Sequence, residues 1–378
     1  MKKIIILLIS ILLLSGCYDY VEINDLVIIT GMLIDYENDN YVITNQLIEN
    51  EKESIVKIYK TEGKTIDECI SKLSKLLNKD IFISHLKSLI ITENLIYSNK
   101  DYYDYFLRNP KSKMNFNIYF VDNKYKDKVI NIYNDDKGSS LYLKDMISFN
   151  NKIFSSSTPL TFLDLIYKRL EYGLEPIYPN ITVNNNILYL QNLIIFKNNK
   201  KITLDDINGI YYNLITNNLI KTDINIPCDK DNFSISTNNT KTKFKWKDNK
   251  LYVDIKVTGK MNSYNCKYDL NKTDTMTILS NLSNKELTNN INEIIKIAKD
   301  NNVDFIGITN YIYKHSKKKL NIKDIDIKTT VKTTITSIGE LRKWKKKKLI
   351  VLDYPLWYVL YVAHLFMVFL VHILFMKH

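Results

Sequence analysis

The chain has 378 residues, 45% of them apolar, with only nine Gly and six Pro. That length can bury the cores of two or three domains, and the composition excludes a fibrous or linker-built chain. The formal charge of +12 sits mostly at the ends: residues 1–16 carry +2 and 341–378 carry +6, leaving +4 on the body, which excludes a strongly basic nucleic-acid binder.

The first elements are a short basic stretch, Met1-Lys2-Lys3, and an apolar run from Ile4 to Leu14 interrupted only by Ser10. As a helix that run is roughly 17 Å long, against a hydrocarbon core of about 30 Å, so it has the layout of a secretory signal and not of a span. Leu14-Ser15-Gly16-Cys17 follows, in the order of a bacterial lipobox. Small residues at 15 and 16 fit a signal-peptidase cleft, and the Cys17 thiolate can attack a lipid donor. The expectation is cleavage before Cys17 and a diacylglyceryl anchor on it, since one acyl chain holds marginally and two hold stably. The plainer alternative is an ordinary apolar segment with a chance Cys.

Leu26 to Ile34 and Tyr41 to Leu47 read as strands around a turn at Glu37 to Asn40. Thr65 and Glu68 have capping-box spacing before a helix whose apolar face is Ile66, Cys69, Ile70, Leu73, Leu76 and Leu77. Ile81 to Thr92 reads as a buried strand, Ser98 to Asn109 as a helix stopped by Pro110, and Asn115 to Val121 as a strand. Helices are expected at 124–133 and 139–150.

Thr158 can cap a helix with Pro159 at its first position and Gly173 at its end. Strands at Ile181 to Val183, Ile187 to Phe196 and Lys201 to Leu204 follow, then a short helix from Asp205 to Ile215. Strands and polar loops fill 228–274, and Ser283 with Glu286 forms a second capping-box pattern. Ile325 to Ile335 alternates with polar residues as a half-buried strand does. The expected fold is α+β: three mixed α/β domains with largely antiparallel sheets, at 17–155, 156–227 and 228–340.

Chemistry-bearing motifs are scarce. The chain has no nucleophile elbow, no phosphate-binding glycine loop, no H-E-x-x-H and no paired-Cys metal site. Ser155 to Ser157 reads as a loop before a helix cap, His85 as a structural histidine, His315 as a solvent-facing loop residue, and Asp304 with Gly307 as a helix-to-turn element. Cys69 is expected to be buried. Cys228 and Cys266 can pair in an extracytoplasmic setting or remain thiols. No enzyme class and no cofactor or metal is implied. The abundance of Asn, Ile, Lys and Tyr fits an AT-rich coding sequence and carries no function by itself.

Several segments in fixed order resemble one family. They are "CYDYVEIN" at 17–24, "LVIITGMLIDY" from Leu26, "HLKSLIITENL" from His85, "SSSTPLTFL" from Ser155, "YPNI" at 178–181, "DFIGI" at 304–308 and "VKTTITSIG" from Val331. Together, behind a lipobox, they resemble the Ger(x)C family, the C-subunit lipoproteins of spore germinant receptors, over about residues 1–340. Tyr18 stands where the family usually has Trp, and "YKHSKKKLNIKDIDI" lacks the Trp-rich helical segment common there.

The resemblance implies a three-domain, non-catalytic protein lipidated at Cys17 on the outer face of the spore inner membrane. Its implied partners are the receptor's A and B subunits and membrane lipid, not nucleic acid, with any nutrient germinant engaged indirectly. A solute-binding lipoprotein of a transporter is the alternative, although the second half is too strand-rich for its usual two lobes. A surface-anchored hydrolase lacks a nucleophile motif.

The tail departs from the family. "RKWKKKK" at 342–348 precedes Tyr354 to Met376, which contains no Asp, Glu, Lys or Arg. As a helix this segment is roughly 34 Å long, enough to span a bilayer, and Trp357, Tyr358 and Tyr361 suit its interface. Residues 341–378 are therefore read as a basic segment followed by a candidate transmembrane helix.

Overall fold

A computed structural model describes residues 25–48, 56–133 and 140–337. The lipobox and the tail lie outside them. Among the described residues no helix is long and apolar enough to cross a membrane.

The elements run in order β1 (Leu26–Glu37), β2 (Asn40–Ile48), β3 (Val56–Gly63), α1 (Ile66–Leu77), β4 (Asp80–Phe82), β5 (Ser88–Thr92), α2 (Glu93–Tyr97), α3 (Asp104–Arg108) and β6 (Asn117–Val121). Then come α4 (Asn123–Tyr133), α5 (Ser140–Ile153), α6 (Phe162–Leu170), β7 (Ile177–Asn184), β8 (Ile187–Lys197), β9 (Lys200–Leu204) and α7 (Asp206–Ile215). The last group is β10 (Asp223–Cys228), β11 (Asp231–Lys247), β12 (Lys250–Tyr264), α8 (Thr273–Asp300), α9 (Ile308–Ser316) and β13 (Asp326–Ser337).

The first nine strands form one mixed sheet, ordered β3-β2-β1-β5-β6-β7-β8-β9, with β4 paired to β1. Its centre is parallel, from β1 through β5 and β6 to β7. Both wings are antiparallel. The parallel centre is built by helical crossovers, which parallel neighbours require. Those helices cover both faces, so the central strands are buried throughout; all five residues of β5 are buried. On one face Cys69 and Leu73 of α1, Phe106 of α3 and Leu165 of α6 pack against Ile43 and Leu89. On the other, Val129 of α4 with Leu143 and Ile147 of α5 packs against Leu33 and Tyr119.

A second sheet, β10-β11-β12-β13, is antiparallel except for its last pair. The β12-to-β13 connection carries α8, whose Leu287, Ile291, Ile294 and Ile295 fill the core beneath Leu251, Val253 and Ile255. The architecture is thus mixed α/β, as expected from the sequence, and is built on two sheets.

Asparagine has a conformational role here. Four two-residue hairpin loops are Asn38-Asp39, Asn185-Asn186, Asn198-Asn199 and Asp248-Asn249, each with both residues at positive φ. This is the type I′ turn, whose twist matches that of the paired strands, and Asn and Asp enter left-handed backbone at the least penalty after Gly. A chain with nine Gly makes these turns with amides and carboxylates instead.

Four elements differ in detail from the sequence expectation. The 81–92 strand is split into β4 and β5 by a turn in which Leu86 donates to the Ile83 carbonyl over 3.0 Å. The 98–109 helix is shortened to Asp104–Arg108, because the Asp101 carboxylate accepts from the Tyr103 and Asp104 amides and starts α3 there. The helix expected from Thr158 begins at Thr161, because Leu160 and Phe162 first pair with the backbone of β6 and its approach. Ser283 is no cap; it lies inside α8 and donates to the Leu279 carbonyl one turn back.

Candidate functional site

Cys17, the residue expected to carry lipid, lies outside the described residues, as does the candidate span at 354–376. Of the motif-bearing segments within the described residues, two fasten the two sheets together.

The Ser155–Ser157 loop is buried between α5 and α7. Ser155 Oγ lies 2.8 and 3.0 Å from the Asn151 and Lys221 carbonyls, its one proton shared between them. The buried Asn213 amide donates to the carbonyls of Ser155 and Ser157 at 2.8 and 3.2 Å. Gly209 completes the joint: a Cβ there would lie 2.0 Å from the Ser156 carbonyl oxygen, so only Gly lets α7 approach. These serines hold backbone in place and have no nucleophile geometry.

The second fastener is Asp304, which is 6% exposed. Its carboxylate accepts from the amides of Gly307, Ile308 and Thr309 and from the Thr309 hydroxyl, at 2.5 to 3.2 Å, and so closes the N-terminus of α9. Burial raises this carboxyl above its ordinary value, against the pull of those donors. The capped helix then grips the chain after α6. The Thr309 hydroxyl, its proton given to Asp304, lies 3.3 Å from the Gly173 carbonyl; Asn310 Nδ2 donates to the Tyr172 carbonyl, and Lys314 Nζ lies 3.1 Å from Glu171. Gly173, expected to end the helix, lies two residues beyond its cap, at φ 70° and tight against Thr309.

Beside the Asp304 contacts lies a cleft of about 1170 Å³, lined by Tyr178 and Phe196 of the large sheet and by Asp304, Thr309 and Leu320 from the C-terminal half. Arg169 stands over the Tyr103 ring at 4.9 Å, and the Tyr102 and Tyr178 hydroxyls meet at 3.2 Å. Burial pushes both phenols upward, so they stay protonated at neutral pH, and a guanidinium does not deprotonate. Such a group can bind and orient; it does not exchange protons. Nothing in the sequence marked this cluster, because Tyr102 and Tyr178 lie in different segments and meet only across the fold.

The other candidates are dispersed. His85, read from the sequence as a structural histidine, is exposed in the turn after β4, with its ring 5.6 Å from Phe82. His315 is exposed but helical, its Nδ1 2.8 Å from the Tyr311 carbonyl. Cys69 is buried, as expected, and burial raises its thiol to about 11, leaving it unreactive. Cys228 and Cys266, left open by the sequence, form a disulfide. Among the described residues no group of three His, Cys, Asp or Glu side chains is placed to hold a metal ion.

Comparison with known proteins assigns the chain. Residues 19–183 match the family described as spore germination protein N-terminal domain, and 191–339 match spore germination B3/GerAC like, C-terminal. The chain belongs to the Ger(x)C family. It is 24% identical over 353 residues to "Spore germination protein KC" of Bacillus subtilis (strain 168), covering 82% of this chain and 86% of that protein. It is 23% identical over 208 residues to "Spore germination protein A3" of the same organism, covering 52% of this chain and 55% of that one. In fold it is similar to the crystal structure of the GerBC protein, with a TM-score of 0.54 at 15% identity, covering 81% of this chain and 97% of that one.

The Ger(x)C segments are thereby given structural parts. "HLKSLIITENL" is the turn into β5 and the Thr92-capped start of α2. "SSSTPLTFL" is the joint between the sheets, and "DFIGI" is the Asp304 cap. The boundary between the two matched family regions falls at the start of β8, within the large sheet.

Proposed function

We propose that this chain is the C subunit of a spore germinant receptor, a non-catalytic protein lipidated at Cys17 and held on the outer face of the spore inner membrane. It assembles with the receptor's membrane-embedded A and B subunits and engages a nutrient indirectly. The observation that carries this reading is the match to both family regions, in order, along nearly the whole body. The Cys228–Cys266 disulfide supports an extracytoplasmic location, because such bonds persist in oxidising compartments. Within this reading 17–155, 156–227 and 228–340 act as three domains, and 354–376 adds a membrane span.

The test is detergent extraction of the full chain from dormant spores, affinity capture and mass spectrometry. Recovery with a polytopic transporter-like protein and a larger membrane subunit is expected; recovery alone overturns the assembly. The mass of the mature N-terminal peptide reports lipidation, and an unmodified Cys17 removes the anchor. Trimming after Gly339 tests the tail through membrane retention.

The cleft beside Arg169 favours a second reading, a solute-binding lipoprotein. Thermal stabilisation of the intact protein by small carboxylates, together with recovery of an ATP-driven importer, would bring it forward.

A further inference from the structure

The small sheet has one covered face and one open face. Leu251, Val253, Ile255 and Val257 of β12 turn toward α8 and are buried. Residues between them point the other way, as strand alternation requires. Register then gathers lysines that are far apart in sequence. Lys241 of β11 stands opposite Lys256 of β12, which stands opposite Lys332 of β13. Further along, Lys243 faces Asp254, and Lys245 and Lys328 flank Tyr252. Lys247 and Lys250 close the hairpin end, and Lys260 extends the face at the other. From these three strands the open face carries nine Lys against Asp254 and Asp326.

Most of that charge is uncompensated. Lys250 pairs with Asp326 at 3.0 Å and Lys247 approaches Asp248 at 3.7 Å. None of the other seven has an ion-pair partner among the described residues. Like charges directly opposite on neighbouring strands destabilise a sheet, so the row Lys241–Lys256–Lys332 opposes folding stability. Strands about 4.8 Å apart, with same-face residues about 6.8 Å apart, spread these ammonium groups over a face of roughly 10 by 34 Å. Ammonium groups are point charges on flexible stems. A planar array of them suits an extended anionic surface better than one bound molecule.

The chain itself points to the kind of surface. β13 ends at Ser337, and the basic segment Arg342 to Lys348 begins five residues later, followed by the apolar run from Tyr354. Five residues reach at most about 18 Å. The lysine face and the basic segment therefore lie within reach of the same plane, and Tyr252 in the middle of the face suits a headgroup interface.

We propose that the open lysine face of β11–β13 lies on a bilayer surface bearing anionic headgroups. This goes beyond subunit assembly and beyond an anchor at Cys17: it orients the C-terminal half of the body on the membrane.

The test uses the full chain in proteoliposomes of phosphatidylcholine, with or without phosphatidylglycerol. Lysine acylation is mapped by mass spectrometry, with Lys75 and Lys152 as exposed references on helices of the large sheet. A lysine near an anionic surface gains roughly a fivefold factor in affinity, screened by salt. Acylation of Lys241, Lys256 and Lys332 should therefore slow about fivefold with phosphatidylglycerol, and recover in high salt. The exposed variant K241E/K256E/K332E should abolish the lipid-dependent protection of Lys245 and Lys328. Equal reactivity in both lipids, with the protein still membrane-bound, overturns the proposal without touching the receptor assignment. Protection that appears only when other spore membrane proteins are added also overturns it, and assigns the face to an acidic protein.

Discussion

Gly209 on α7 approaches the Ser156 carbonyl so closely that a Cβ would lie 2.0 Å from its oxygen. The neighbouring Asn213 amide donates to both Ser155 and Ser157. Gly209→Ala must push α7 off the serine loop and break those bonds. A loss of several kcal/mol, about the size of a large overpacking defect with buried bonds broken, is expected in urea unfolding. A variant as stable as the wild type would mean the joint is loose.

Asp35 is 1% exposed and bonded to Lys126 at 2.8 Å and to Thr92. Burial alone would raise the Asp35 carboxyl, but the Lys126 ammonium, the Thr92 hydroxyl and the Tyr36 amide hold it below its ordinary 3.8. The unfolded chain then binds that proton more readily, so the pair's contribution is complete above about pH 4 and is lost as pH falls through the lowered value. Lys126 is raised above 10.5, so its share is complete below that pH and lost as pH rises through the raised value. Lys126→Met should cost about 3–5 kcal/mol at neutral pH by leaving a buried carboxylate unpaired. Its deficit should shrink toward pH 3 in urea midpoints; a pH-independent deficit would contradict the pair.

The Cys228–Cys266 disulfide closes a sequence separation of 38 residues. Loop-closure entropy for that length is roughly 4 kcal/mol. The double substitution to Ala should lower the unfolding free energy measured in urea by an amount approaching this, and a reductant should act on the wild type but not on the variant.

Asp304→Asn places an amide NH2 where two oxygens accept four hydrogen bonds. At least one buried donor then faces another, and a loss of about 2–4 kcal/mol is expected. Hydrogen exchange of the α9 amides should speed first, since the cap holds them; uniform exchange across the chain would show that the cap is not local.

Much of the fold was legible from periodicity and turn chemistry. The alternation through Ile325 to Ile335 is β13, and Thr65 does cap α1, with its oxygen accepting from Glu68 N. The Glu68 carboxylate, however, reaches the Lys64 amide and not that of Thr65, a one-residue slip that spacing alone does not resolve. Ser283–Glu286 has the same spacing inside a long helix, because a serine can return its hydroxyl to the carbonyl one turn back. The helix at 162 starts late because Leu160 and Phe162 are held by β6, a neighbour the local sequence does not contain.

By itself the sequence determined the signal-like N-terminus with Cys17, the family segments and their order, and the alternating strands, because these depend on residues close together in the chain. Only the tertiary structure decided what meets across distance. Cys228 found Cys266, Tyr102 met Tyr178 beside Arg169, and strand register set Lys241, Lys256 and Lys332 in one row. A body with a net charge of only +4 thereby acquires one strongly basic face, since folding redistributes charge that a linear sum averages away.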